Sequence, residues 1–181
     1  MGKNTWGIPR VRRLVVHPSV WVRSLPVELH QHYPRATLLS SSEMLHLIRE
    51  PVMRVETLTP PNTPTPIGPY NHVAKVGEHI WIGGTAGVDP ATGRLAGADI
   101  TAQTKQILKS FMVMLEAVGS DLDHAVHINI FLKSMADFEA MNAAYAEAMG
   151  DHRPARTVVA VGELPKPGVL LTMNLMAVTR S

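Results

Sequence analysis

The ten residues Val169–Val178 (VLLTMNLMAV) limit what this chain can fold into more than any others. They lie in an uncharged run and are apolar on both sides of a strand. Leu171, Met173 and Leu175 fall on one side, Leu170 and Met176 on the other, because successive side chains alternate across a strand. Two other segments behave alike. Trp81 opposes Ile80 and Ile82, and Val126, Ile128, Ile130 and Leu132 alternate with His127, Asn129 and Phe131. Strands apolar on both faces need a cover on each.

Only two segments have the spacing of long amphipathic helices. One runs from about Asp99 to Val118, with Ile107, Leu108, Phe111, Leu115 and Val118 on one face and Gly119 placed to end it. The other runs from about Met135 to Met149, marked by Phe138, Met141, Tyr145 and Ala148. Strands are expected at Arg54–Leu58, Val73–Val76, His79–Ile82, Val126–Leu132, Thr157–Val161 and Val169–Val178. Gly77-Glu78 and Asp89-Pro90-Ala91-Thr92-Gly93 supply turns. The order β-β-β-α-β-α-β-β predicts an α/β (α+β) domain of two layers, a six-stranded mixed sheet with two helices on one face. Two helices cover one face only. The second apolar face therefore predicts a homo-oligomer in which copies of the sheet cover one another.

Composition narrows the chemistry. Cys is absent, so disulfides, thiolate metal sites and a cysteine nucleophile are excluded. The longest uncharged run, Thr57 to Ala74, holds five prolines, and the next, Pro167 to Thr179, has thirteen residues. Neither matches the ~20 apolar residues of a membrane-spanning helix. Residues 53–181 carry a net charge of −2, and the whole chain has nine aromatic residues (Trp 3, Tyr 3, Phe 3). Both argue against nucleic acid as a partner, which calls for basic grooves and stacking rings.

Residues 1–52 differ. They carry +4, prolines at positions 9, 18, 26, 34 and 51, and two of the three tryptophans, Trp6 and Trp21. Short β-prone runs stand at Arg13–His17 and Val20–Arg23, and a helix is expected over Ser42–Arg49. The expected division is an extension, 1–52, and a folded domain, 53–181. The extension reads as a transit-like presequence, as a translated upstream stretch with the start at Met53, or as an ordered arm on a partner surface. The compartment expected is the cytoplasm, or an organelle if the extension is a presequence.

The motifs are sparse. Ile67-Gly68-Pro69-Tyr70 closes a proline-rich loop and can hold Tyr70 as a pocket wall; alone it reads equally as a rigid turn. Arg153-Pro154-Ala155-Arg156 opens a strand, where a guanidinium can grip a carboxylate through two parallel bonds, or pair with a surface acid. The histidines at 72, 79, 124, 127 and 152 lack metal-ligand spacing, and His124 and His127 are expected on opposite faces of one strand. No phosphate loop or dinucleotide fingerprint is present, and Gly83-Gly84 reads as a point of close backbone approach. No metal or cofactor is expected.

In order along the chain, several pieces form one pattern: Ile67-Gly68-Pro69-Tyr70, Gly84, Asp89-Pro90-x-Thr92-Gly93, Gln103-Thr104, Phe131-Leu132-Lys133, Asp137-Phe138 with Asn142 and Tyr145, Pro154-Ala155-Arg156, and Leu164-Pro165. From Met53 to Val178 the chain resembles the RidA family, also called YjgF or endoribonuclease L-PSP. The resemblance implies a chorismate-mutase-like fold, a homotrimer with its sheets lining a central barrel, and three clefts between subunits. It implies that Arg156 binds a substrate carboxylate, and that Tyr70, Asn142 and Gly84 line the ligand site. It implies hydrolysis of reactive 2-imino or enamino acids to 2-oxo acids and ammonia, with no cofactor. A ribonuclease or translation-inhibitor activity is attached to some relatives. The chain departs from the deaminating pattern at three places, one of them Val158, which stands two residues after Arg156 where a cysteine or similar residue is usual. Gly83-Gly84-Thr85 stands where Ser-Gly-Gln is usual, and Thr172 stands where a glutamate usually helps activate water. A neutral Thr cannot act as a general base near pH 7, although its hydroxyl can orient water. Glu163, His72 and Asn129 are the possible substitutes, and a non-catalytic ligand-binding or sensor protein is the alternative.

Overall fold

The structure, a computed structural model, describes residues 53–180; the runs expected within 1–52 lie outside them. The elements are β1 (Val55–Leu58), β2 (Val73–Val76), β3 (His79–Ala86), α1 (Ile100–Glu116), β4 (Ala125–Leu132), α2 (Phe138–Met149), β5 (Ala155–Ala160) and β6 (Leu171–Val178). Single 3-10 turns, Leu122–His124 and Met135–Asp137, precede β4 and α2. His124 thus lies before the strand rather than on it, with Nδ1 2.6 Å from Asp121 Oδ1.

The six strands form one sheet in the order β1-β2-β3-β6-β4-β5. All neighbours are antiparallel except β4 and β5. That parallel pair is joined by the α2 crossover, as a parallel connection requires. The last strand inserts between β3 and β4, which accounts for its continuous apolar character. Its inner residues Leu171, Met173 and Leu175 are at most 1% exposed. They meet Ile80, Ile82, Ile128 and Ile130 from the flanking strands and Ile107, Phe111, Met114 and Leu115 from α1 in one core. Burying each such side chain contributes about 1.5–3 kcal/mol.

The ends of α1 follow from local chemistry. Asp99 Oδ1 accepts from the Ala102 amide at 2.9 Å, capping the first turn. Gly119 adopts φ +78°, and the amides of Gly119 and Ser120 return to the carbonyls of Glu116 and Leu115. These paired bonds make a Schellman ending, which only a residue free to enter the left-handed region allows without strain.

Two bulges shift the pleat, one of them in β4 between Ala125 and His127, which leaves Val126 exposed. In β3 the register jumps from Ile82↔Leu175 to Thr85↔Met173, so Gly83 and Gly84 together face Asn174. The extra residue turns Thr85 into the core and leaves Ala86 opposite Thr172. The glycine pair is therefore a bulge and not the close approach expected. A Cβ on Gly83 would meet His72 O at 3.7 Å, ordinary contact, and one on Gly84 would meet nothing within 4 Å. The close approach lies at Gly87, where a Cβ would fall 2.6 Å from Gln103 Cα.

The face away from the helices carries Trp81 and Met176, 40% and 41% exposed. Leu170 does not join them. It precedes β6 and packs against the core, because its amide is diverted to Gln103 Oε1 at 2.9 Å. The middle of this face is polar: Asn129 Nδ2 donates to Asn174 Oδ1 at 2.8 Å.

Candidate functional site

A cavity of about 680 Å³ opens between the proline-rich segment, the β3 bulge, the loop after β3 and the turn before β6. Tyr70, Gly84 and Thr172 all line it.

The upper wall is built by prolines and held by side chains. Pro69 centres a tight turn in which the Tyr70 amide donates to Gly68 O at 2.9 Å. Proline's fixed φ suits that three-residue turn. Thr63 Oγ1 donates to Pro60 O at 2.6 Å, and His72 Nε2 lies 2.6 Å from Pro64 O. The His72 ring is 3% exposed and stands edge-on to Tyr70 with ring centres 5.6 Å apart. A carbonyl partner makes Nε2 a donor, and Nδ1 is buried without a partner among the described residues. Thr59, Thr57 and Asn71 exchange hydrogen bonds of 3.1 Å, which tie the end of β1 to the cavity's rim.

The lower wall depends on Gln103, which is 0% exposed on α1. Its Nε2 donates to Gly97 O at 3.1 Å and to Gly168 O at 3.0 Å, and its Oε1 accepts from the Leu170 amide. One side chain thus joins the loop after β3, the helix and the turn before β6. In that turn the Val169 amide donates to Lys166 O at 3.2 Å, with Pro167 and Gly168 (φ +79°) between them. Pro at the second position and a left-handed Gly at the third are the residues of a type II turn. Lys166 opens the turn and lines the cavity, its Nζ 3.2 Å from Gly93 O.

Arg156 lies elsewhere. It starts β5 at the sheet's edge, opposite Ile128 and so on the helix side. Its guanidinium sits 4.7 Å from the centre of the Tyr145 ring on α2, a cation–π contact. Burial pushes the Tyr145 phenol above its usual 10.0, with Arg156 and Arg153 pulling it partly back; its hydroxyl has no partner among the described residues. Asn142 stands three residues before Tyr145 on α2, neighbouring positions on one helix face. Thr172 and Arg156 are separated by two strands and three residues of register. That is ~14 Å of backbone at ~3.3 Å per residue and ~4.8 Å per strand, and the two side chains leave opposite faces.

Within one chain, then, Tyr70, Gly84 and Thr172 come together, Arg156 approaches Tyr145 with Asn142 on the same helix, and the two groups do not meet. Of the possible substitutes for a glutamate, only His72 lines the cavity. Asn129 is bonded to Asn174, and Glu163 is exposed outside the cavity. Among the described residues no Asp or Glu lines the cavity. Gln103 and Lys166 escaped sequence reasoning as site residues. Gln103 stood in the matched pattern without a role, and Lys166, directly after the matched Leu164-Pro165, was given none. A signal existed for Lys166: a cation flanked by Pro165 and Pro167 in a loop beside Gly168. Among the described residues no helix is long and apolar enough to cross a membrane. None of their His, Asp and Glu side chains form a group of three or more able to hold a metal ion.

The fold and cavity define a class: a mixed six-stranded sheet, helices on one side, and a small-molecule-sized cavity at one end of the β3–β6 pair. Residues 60–179 match the family model described as Endoribonuclease L-PSP. A RutC family protein of Pyrococcus horikoshii is 40% identical over 122 residues, 67% of this chain and 96% of that protein. A protein of Dermatophagoides farinae named 2-iminobutanoate/2-iminopropanoate deaminase is 32% identical over 109 residues, 60% of this chain and 85% of that one. The solved structure of the YjgF gene product from E. coli superposes with a TM-score of 0.65 at 34% identity, covering 69% of this chain and 99% of that one. The chain belongs to the endoribonuclease L-PSP family, the RidA or YjgF family.

Proposed function

We propose that this chain binds small 2-oxo and 2-imino carboxylates in clefts formed between copies of itself in a homotrimer, and hydrolyses the imines. The observation that carries this is the division of the site. The cavity with Tyr70, Gly84 and Thr172 holds no guanidinium, and the guanidinium with Tyr145 lies ~14 Å away on an edge strand. A small acid cannot span that gap within one chain. A cleft that joins the cavity of one copy to the β5 edge of another closes it. The uncovered sheet face, with Trp81 and Met176 half exposed, gives such an assembly apolar area to bury. The folded domain 53–181 carries the activity and residues 1–52 are an appendage.

In the cleft, Arg156 takes the carboxylate by paired charge-assisted bonds. An enamine first tautomerises to the imine. Water adds to the C=N carbon, its proton passes to nitrogen, and the carbinolamine loses ammonia to leave the 2-oxo acid. The Thr172 hydroxyl orients the water, and positioning carries the acceleration. The Dermatophagoides relative bears the name of such a deaminase. The absence of any carboxylate from the cavity wall favours a second reading, a ligand-binding member that turns nothing over.

One experiment separates the two. Ammonia release from enzymatically generated 2-iminopropanoate is measured beside calorimetric binding of 2-oxobutyrate, with light scattering on the same sample. Turnover by a trimer supports the first reading, and binding without turnover the second. Arg156→Ala is expected to weaken binding at least tenfold, since truncating one partner of a desolvated charge pair costs ~2–5 kcal/mol. A stable monomer at micromolar concentration, or an unchanged affinity in Arg156→Ala, refutes the shared cleft.

A further inference from the structure

Among the described residues the cavity wall contains one formally charged side chain, Lys166, and no carboxylate to neutralise it. Among the described residues its ammonium forms no ion pair and has one acceptor, Gly93 O at 3.2 Å. An ammonium carries three donors, so two remain for a ligand or water. The position is built rather than incidental. The Pro167-Gly168 turn fixes the backbone on which Lys166 stands, and the fully buried Gln103 bonds to both Gly168 and Leu170. Lys166 is half-buried, so part of its stem is already ordered and desolvated before any ligand arrives.

We propose that Lys166 is a specificity residue that binds a second, distal carboxylate, so that the preferred ligands are 2-oxo and 2-imino dicarboxylates rather than monocarboxylates. The inference rests on the reading above, in which Arg156 of another copy takes the 2-carboxylate. It adds a cation at the opposite end of the ligand, on the wall contributed by the cavity. Tyr70, Ile67 and the prolines around them offer the apolar middle against which a short carbon chain lies. An apolar side chain in the ligand would leave the Lys166 charge facing it unpaired. A carboxylate of matched length satisfies it with a charge-assisted bond, which corresponds to about tenfold or more in affinity.

The test compares 2-oxoglutarate with 2-oxopentanoate, which share a chain length and differ in the distal carboxylate. Binding is measured by calorimetry on the full chain, for the unaltered protein and for Lys166→Gln and Lys166→Arg. The expected result is at least ~tenfold tighter binding of 2-oxoglutarate, falling as salt is raised, abolished in Lys166→Gln and retained in Lys166→Arg. Binding of 2-oxopentanoate as tight as that of 2-oxoglutarate overturns the role of Lys166 and leaves the reading above intact. So does a preference that survives Lys166→Gln. Equal loss of both ligands in Lys166→Gln overturns it too, because Lys166 would then hold the 2-carboxylate itself. Failure of both ligands to bind the unaltered protein overturns the ligand class and this inference together.

Discussion

Gln103 offers the sharpest test of how the cavity's lower wall is held. Gln103→Leu keeps the volume of the side chain and removes its three hydrogen bonds to Gly97 O, Gly168 O and the Leu170 amide. Each such bond contributes ~1 kcal/mol net, and a buried group left without a partner costs ~1–3 kcal/mol. Gly168 is exposed and Gly97 partly so, so water can reach their carbonyls. The Leu170 amide lies deeper, at the start of the central strand, and carries most of the loss. Burying Leu in place of Gln returns ~1 kcal/mol of apolar transfer. The expected net loss is ~2 kcal/mol, a fall in melting temperature of roughly 4–10 °C for a domain of this size. Thermal denaturation by circular dichroism at one fixed protein concentration is the assay, because association shifts apparent stability by mass action. Gln103→Leu should also weaken ligand binding, since the turn that carries Lys166 loses its tether. A change below ~2 °C would refute the reasoning, showing that the backbone groups find other partners.

Three further outcomes are expected. Tyr145→Phe removes a buried hydroxyl that has no partner among the described residues and should leave the melting temperature at pH 7 within ~2 °C. Because burial raises the folded-state pKa of Tyr145 above 10.0, the unfolded chain gives up that proton first. Its contribution is therefore lost as pH rises past 10.0, and Tyr145→Phe should flatten the alkaline fall in a pH series of melts. Thr172→Glu is expected to raise imine hydrolysis ~100-fold by supplying a general base in the cavity that Lys166 also lines; ammonia release measures it, and a fast wild type slowed by Thr172→Glu would contradict it. Removing residues 1–52 is expected to leave the melting temperature within ~5 °C, measured side by side with the full chain.

The strands and helices were legible because each carries its own periodicity; that the double-faced β6 is a central strand came only with the strand order. Element ends shifted where side chains captured the backbone. Val169 and Leu170 read as strand, yet their amides go to Lys166 O and Gln103 Oε1. Lateral order was not legible. Nothing in the spacing of Pro154-Ala155-Arg156 says that β5 becomes an edge, or that Arg156 lands on the helix side away from Thr172. Gln103 was opaque for a related reason. A glutamine inside an amphipathic helix reads as solvent face, and two of its partners stand 65 and 67 residues away. A pairing at that distance is decided by the loops' closing on α1, which Gly87 permits by having no Cβ.

The strand order has a consequence for how activity and assembly relate. Among the described residues β5 is held on one side only, by its parallel ladder with β4, so its outer edge has backbone groups still to be satisfied. The same strand carries Arg156, exposed and set against Tyr145, with no carboxylate paired to it among the described residues. The cavity, at the other end of the register, has an ammonium, a threonine and a buried imidazole but no guanidinium. On the reading proposed here, each isolated chain holds two incomplete sites, and association completes them while covering an edge and an apolar face. Ligand and partner then stabilise one state together. A ligand that bridges the cavity and Arg156 must tighten the assembly by the same factor by which assembly tightens the ligand.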